Sequence, residues 1–189
     1  KLIINCLYEG IEICLLVNKI DEDRIDVSEY SELYETIYIS AHTGEGMQSL
    51  EESMGNKICA IVGQSGVGKS STINYLLEED KIKIGDISKH IDRGKHTTRH
   101  IEIYQIKNNA KLIDTCGFSI LNTIKINKEN LKNYFEEFDK YRDGCEYKSC
   151  LHLNEKNCKI KEMVGKDISA GRYERYIKIL KEIIEKEGE

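Results

Sequence analysis

Ile58-Cys59-Ala60-Ile61-Val62-Gly63-Gln64-Ser65-Gly66-Val67-Gly68-Lys69-Ser70-Ser71 passes from an apolar run, through a glycine-rich turn, into a stretch of helical character that continues to Leu77. The turn has the spacing G-x-x-x-x-G-K-S. Its glycines let the backbone curl until successive N–H groups converge, and the following helix adds the positive end of its dipole. Gly63, Gln64, Ser65, Gly66, Val67, Gly68, Lys69, Ser70 and Ser71 therefore form a cradle for phosphate oxygens. In such a cradle Lys69 reaches the β- and γ-phosphates, and Ser70 offers a hydroxyl to the Mg²⁺ that bridges them. A strand before the turn and a helix after it separate this pattern from an ordinary glycine turn.

On either side lie further short apolar runs that read as strands: Ile11 to Val17, Thr36 to Ile39, Ile101 to Ile106 and Lys111 to Ile113. Their alternation with helix-like stretches predicts an α/β fold whose sheet is mostly parallel and covered on both faces. Asn108-Asn109 supplies a turn between the last two runs, so they form a hairpin and place one antiparallel strand at a sheet edge. Lys111-Leu112-Ile113 delivers Asp114 at a strand end, where a Mg²⁺ site needs a carboxylate acting through water. Gly117 then completes D-x-x-G, with its N–H aimed at the γ-phosphate. After about residue 125 the strand signals stop. Lys128 to Phe138 and Ser169 to Glu187 read as helices, which predicts two domains, 1–125 and 126–189.

Ile13 to Val17 leads into Asn18-Lys19-Ile20-Asp21, and N-K-x-D after an apolar strand recognises guanine. The Asp21 carboxylate accepts both the ring N1–H and the exocyclic amine, whereas adenine would leave the acid unpaired. Asn18 fixes the loop, and the alkyl part of Lys19 covers the ring. Ser40-Ala41 follows the next strand, where the Ala41 N–H is expected to donate to the guanine carbonyl oxygen. The ligands implied are GTP or GDP with Mg²⁺.

The chain has 189 residues, 40% hydrophobic and 32% charged, with net charge −5. That fits one domain with a small appendage, and no apolar run is long enough to span a bilayer. Residues 1–52 carry net −9 and the remainder net +4, with eight basic and three acidic side chains between residues 81 and 112. That basic segment is either a solvated loop or a surface for an anionic partner. The seven cysteines are odd in number and follow no secretory signal, so a disulfide framework is not expected. Cys145, Cys150, His152 and Cys158 stand apart from the others. Three thiols and an imidazole within fourteen residues suit tetrahedral Zn²⁺ with no open position, a structural site; unconnected thiols are the alternative.

In ordinary small GTPases the phosphate loop comes first and the base loops last; here the order is reversed, as in a circular permutation. The whole pattern resembles the ribosome small-subunit-dependent GTPase A family, RsgA/YjeQ, which joins a circularly permuted P-loop GTPase sheet to a small α-helical zinc-binding C-terminal domain. Asp92-Arg93-Gly94-Lys95-His96-Thr97-Thr98 resembles the family's switch I. Asp167 to Tyr176 resembles the start of its C-terminal helix, and all four zinc ligands match. The resemblance implies a cytoplasmic, monomeric GTPase that acts on the small ribosomal subunit and its rRNA, late in maturation and away from membranes. It makes Thr97 or Thr98 a second Mg²⁺ ligand and His96 the candidate catalytic group; an exposed loop histidine is the other reading of His96. The family's usual N-terminal OB-fold has no counterpart in these residues, and Cys116 stands where Pro is usual. Phe118 replaces the water-orienting glutamine of Ras-like enzymes, so hydrolysis by the chain alone is expected to be slow. Two other readings are a guanine-nucleotide-controlled binding module with little turnover and an ATPase of the same fold.

Overall fold

Leu112 has no exposed surface and lies between Cys59 and Tyr104 in one row across three strands. The structure, a computed structural model, describes residues 1–23, 25–77, 102–114 and 125–188. In that three-stranded sheet β3 (Ile58–Ala60) pairs in parallel with β5 (Lys111–Asp114), and β4 (Glu102–Gln105) pairs antiparallel with β5. The hairpin is the expected one. Asn108 and Asn109 both take left-handed φ, at 55° and 58°, a conformation asparagine tolerates well.

β1 (Cys14–Asn18) and β2 (Glu35–Ile39) pair with each other, so the single expected sheet is found as two hydrogen-bonded groups among the described residues. The two share a core. Ile37 and Ile39 pack with Met47, Leu50 and Met54 of α3 (Met47–Met54), Ile73 and Leu76 of α4 (Lys69–Leu77), and Ile106 and Leu112. Spacings of three and four along α3 and α4 put those side chains on one face. The other face of the three-stranded sheet exposes 64% of Ile58 and 59% of Ile103, so cover on both faces is not met among the described residues.

By its contacts the chain divides into two units, and the division differs from a cut at 125. One unit holds Cys14–Asp26 and Thr36–Ile120. The other holds Leu121–Glu189 together with Lys1–Ile13 and Val27–Glu35. This C-terminal unit contains α1 (Leu2–Tyr8), α2 (Ser28–Ser31), α5 (Lys159–Met163) and α6 (Ala170–Glu187). Ile4 of α1 lies in its core with Ile126, Leu131, Phe138, Ile168 and Leu180. Among the described residues no helix is long and apolar enough to cross a membrane.

Helix α6 runs as the sequence predicts. Ser169 is its N-cap and accepts the Arg172 N–H at 3.3 Å, and Arg172, Tyr176, Ile179, Leu180 and Ile183 form its buried face. The helix expected over 128–138 is instead two short 3₁₀ turns, Leu131–Tyr134 and Glu136–Phe138, broken at Phe135 with φ −122° and ψ 85°. Asn, Tyr and Phe favour helix weakly, and here aromatic packing wins. The Phe135 and Phe138 rings stack at 5.4 Å, and both meet the Tyr176 ring edge-on at 5.0 Å.

A buried ion pair closes this core. Arg172 reaches Glu137 through two bonds, at 2.8 and 3.1 Å, with the side chains only 7% and 9% exposed. Its guanidinium also lies 5.0 Å from the Phe135 and Tyr30 ring centres. Such a pair adds little net stability over an apolar substitute, but removing one partner strands the other charge and costs about 3–5 kcal/mol.

Candidate functional site

The glycine-rich turn leaves β3 and enters α4 with Gly66 and Gly68 at φ 84° and 92°. At Gly68 the constraint is also one of space, because a Cβ there would lie 2.1 Å from Nδ2 of Asn18. Residues 63–67 are exposed, and Gly68, Lys69, Ser70 and Ser71 are half-buried at the helix start. Lys69 Nζ donates to the Gly63 carbonyl at 2.9 Å and the Gln64 carbonyl at 2.5 Å, folding its charge back over the loop. Thr72 donates its N–H to the Gly68 carbonyl at 2.9 Å, which fixes the first helical turn beneath the loop.

Asn18, the last residue of β1, joins that loop to the other two. Its amide nitrogen donates to the Val67 carbonyl at 3.0 Å, and its Oδ1 accepts the Ala41 N–H at 3.1 Å. Lys19 then takes a left-handed φ of 71°, and the Ile20 N–H bonds the Ile39 carbonyl at 3.3 Å. These turn the chain so that Asp21 comes to Ser40. The buried Ser40 hydroxyl bonds the Asp21 carboxyl and holds it below the usual carboxylate range. Ser40 Oγ also accepts the Thr43 N–H at 3.0 Å. One expectation is altered here: the Ala41 N–H expected for a base carbonyl is already bonded to Asn18, so contact with a base would have to share or exchange that bond.

Asn18, Lys19, Asp21, Ser40, Ala41 and the 63–71 loop are therefore brought to one place. The backbone of Asp114 closes β5, next to the β3 end from which the loop departs. His96, Thr97, Thr98 and Gly117 lie outside the described residues, as do Cys116, Phe118 and most of the basic 81–112 segment.

A second cluster gathers in the C-terminal unit. His152 Nδ1 lies 3.6 Å from the Cys145 sulfur and 3.4 Å from that of Cys158, and the two sulfurs are 3.9 Å apart. With Cys150 included, the four ligand atoms all lie within 4.8 Å of one another. A tetrahedral zinc centre has arms of about 2.3 Å to sulfur and 2.0 Å to nitrogen, hence edges of about 3.5–3.8 Å, which the Cys145, His152 and Cys158 separations match, with Cys150 close by as a fourth donor. Burial pushes the Cys150 thiol up to about 12 and the His152 imidazole down to about 4. The imidazole is thus in the neutral form a metal needs, whereas buried thiolates need a cation beside them.

Sequence reasoning missed the groups that hold this ligand loop. Glu155 accepts the Leu151 and Leu153 N–H groups at 2.6 and 2.8 Å, on either side of His152. Tyr173 donates to the His152 carbonyl and Tyr176 to the Leu151 carbonyl, each at 2.7 Å, while Lys132 donates to the Cys150 carbonyl at 3.0 Å. Both tyrosines fall within the stretch Ser169 to Glu187 that reads as a helix, and nothing in a helical period shows where a hydroxyl ends. Outer partners of this kind orient metal ligands.

The family profile described as RsgA GTPase matches residues 1–124. A small ribosomal subunit biogenesis GTPase RsgA from Clostridium beijerinckii is 40% identical over 99% of this chain and 67% of its own length. The protein of that name from Caldanaerobacter subterraneus is 38% identical over 99% of this chain and 65% of its own. YjeQ from Thermotoga maritima superposes with TM-score 0.76 at 30% identity, covering 96% of this chain and 63% of that one. YloQ, a circularly permuted GTPase, matches in fold with TM-score 0.74 at 22% identity, over 97% and 61% of the two chains. The chain thus spans about two thirds of the length of the relatives it matches. The matched profile and the identity across nearly all of the sequence place it: the chain belongs to the RsgA GTPase family.

Proposed function

We propose that this chain binds GTP, hydrolyses it slowly alone and faster on the small ribosomal subunit, and acts in the late maturation of that subunit in the cytosol. The observation that carries the reading is the Asn18 amide joining the phosphate loop to Ala41, with Asp21 set beside Ser40. Family membership and the names its relatives carry supply the ribosomal partner.

In this reading Lys69 exchanges its bonds to the loop carbonyls for phosphate oxygens, and the N–H groups of residues 64–70 receive the remaining charge. Ser70, Asp114 through water, and Thr97 or Thr98 would hold Mg²⁺, which would supply positive charge to the phosphates. Asp21 takes the two guanine donors as a carboxylate, the form it holds at neutral pH. Gly117 reads the γ-phosphate, and His96 is the group assigned to orient the attacking water. Cys145, Cys150, His152 and Cys158 would hold a Zn²⁺ whose role would be structural, since the cluster itself supplies four ligands.

Replacing Asp21→Asn removes one of the two acceptors. Displacement of labelled GDP by unlabelled GDP should weaken by about tenfold or more, with the fold intact by circular dichroism. Equal displacement in both proteins contradicts the base site. The wild-type chain should carry one zinc ion by elemental analysis, and Cys150→Ser should lose it and melt at lower temperature. Because protons compete for the thiolates, zinc release to a chelator should also quicken as the pH falls from 7 toward 5. Finally, small subunits should raise the GTP hydrolysis rate. Subunits that bind without raising it favour a nucleotide-controlled binding module, and ATP hydrolysed as readily as GTP favours an ATPase.

A further inference from the structure

Between the two base loops lies a segment that belongs elsewhere. Val27–Glu35 groups with the C-terminal unit, although Asp21 and Ser40 stand within six positions of its two ends. Its attachment to α6 is specific. Glu29 Oε2 accepts the Ser169 hydroxyl at 2.7 Å, and its Oε1 pairs with Arg175 at 2.7 Å. A Cβ on Gly171 would fall 2.8 Å from that same Oε2, so a side chain there would displace the carboxylate. The Tyr30 ring lies under two guanidiniums, Arg172 at 5.0 Å and Arg175 at 5.5 Å, and Arg172 is itself locked to Glu137. One carboxylate therefore grips both the N-cap of α6 and a cation nearly two turns further on.

We propose that this grip makes Glu29 a positioning residue for guanine binding. It tethers the segment that links Asp21 to Ser40, so the C-terminal unit sets how long the base loops hold a nucleotide. The inference rests on the proposed guanine site and extends it to a route of control through Glu29, separate from the D-x-x-G loop. Tethering a short segment at Glu29 and Tyr30 lowers the entropy lost when its neighbouring loops close on a ligand. By linkage, a bound nucleotide must tighten the anchor in return.

The test uses the full chain with GDP and with the Glu29→Gln variant, which keeps the shape and loses the charge. Hydrogen exchange is followed in peptides covering 63–70 and 169–176, and GDP release is timed with a fluorescent analogue. In the wild type GDP should slow exchange in both peptides. In Glu29→Gln it should still slow 63–70 but no longer 169–176, and GDP release should quicken roughly threefold to tenfold. A purely structural Glu29 would lower the melting temperature without moving GDP-dependent protection at 169–176. Protection of 63–70 alone in the wild type overturns the coupling and leaves the guanine site standing. Wild-type protection and release in Glu29→Gln overturn the role of Glu29, and no GDP effect on either peptide overturns the site and the coupling together.

Discussion

The unit built around the glycine-rich loop depends on one amide side chain touching two loops at once. Asn18 presents a donor to the Val67 carbonyl and an acceptor to the Ala41 N–H, and a primary amide is the short side chain that offers both. An aspartate would set a carboxylate against the carbonyl, and a longer amide would overrun the space that Gly68 leaves open. Gly68 and Asn18 are thus one constraint written at two distant places in the sequence, Asn18 standing 49 residues from the Val67 carbonyl it bonds. The contact is indifferent to which loop comes first along the chain, which is why reversed order leaves the arrangement intact.

The C-terminal unit has a different logic. Its ligand loop has little apolar content, and it is held by α6 hydroxyls, Glu155 and Lys132 around the cysteine–histidine cluster. Tyr173 and Tyr176 serve twice, packing as aromatic bodies and bonding the carbonyls of His152 and Leu151. The same helix carries Arg172 and Arg175, so the cysteine–histidine loop, aromatic core and the Val27–Glu35 segment converge on a few turns of one element.

What was legible in the sequence is what short contiguous stretches encode. Loops for phosphate or a base need particular residues at particular offsets, so Gly63 to Ser71, Asn18 to Asp21 and the cluster Cys145, Cys150, His152 and Cys158 stand out in the sequence as candidates, and the structure brings Asn18 to the 63–71 loop and the four Cys/His side chains to one another. The hairpin at Asn108-Asn109 belongs to the same class. Less legible was whatever depends on distant partners. Residues 128–138 have an apolar spacing that suits a helix, yet Phe135 breaks it because Phe138 and Tyr176 offer better packing. The membership of Val27–Glu35 rests on a carboxylate meeting a hydroxyl 140 residues later, which no local pattern announces. The bond between Ala41 and Asn18 was hidden for a similar reason: motif spacing shows which donor is available but not which acceptor takes it.

The central claim is that three separated loops make one guanine-nucleotide site in this chain. Calorimetric titration of the metal-replete chain with GDP in the presence of Mg²⁺ tests it most directly. The account predicts saturable binding at one site per chain, undiminished by excess ATP. An absence of measurable heat at any attainable GDP concentration, with the chain shown to be folded, would contradict it.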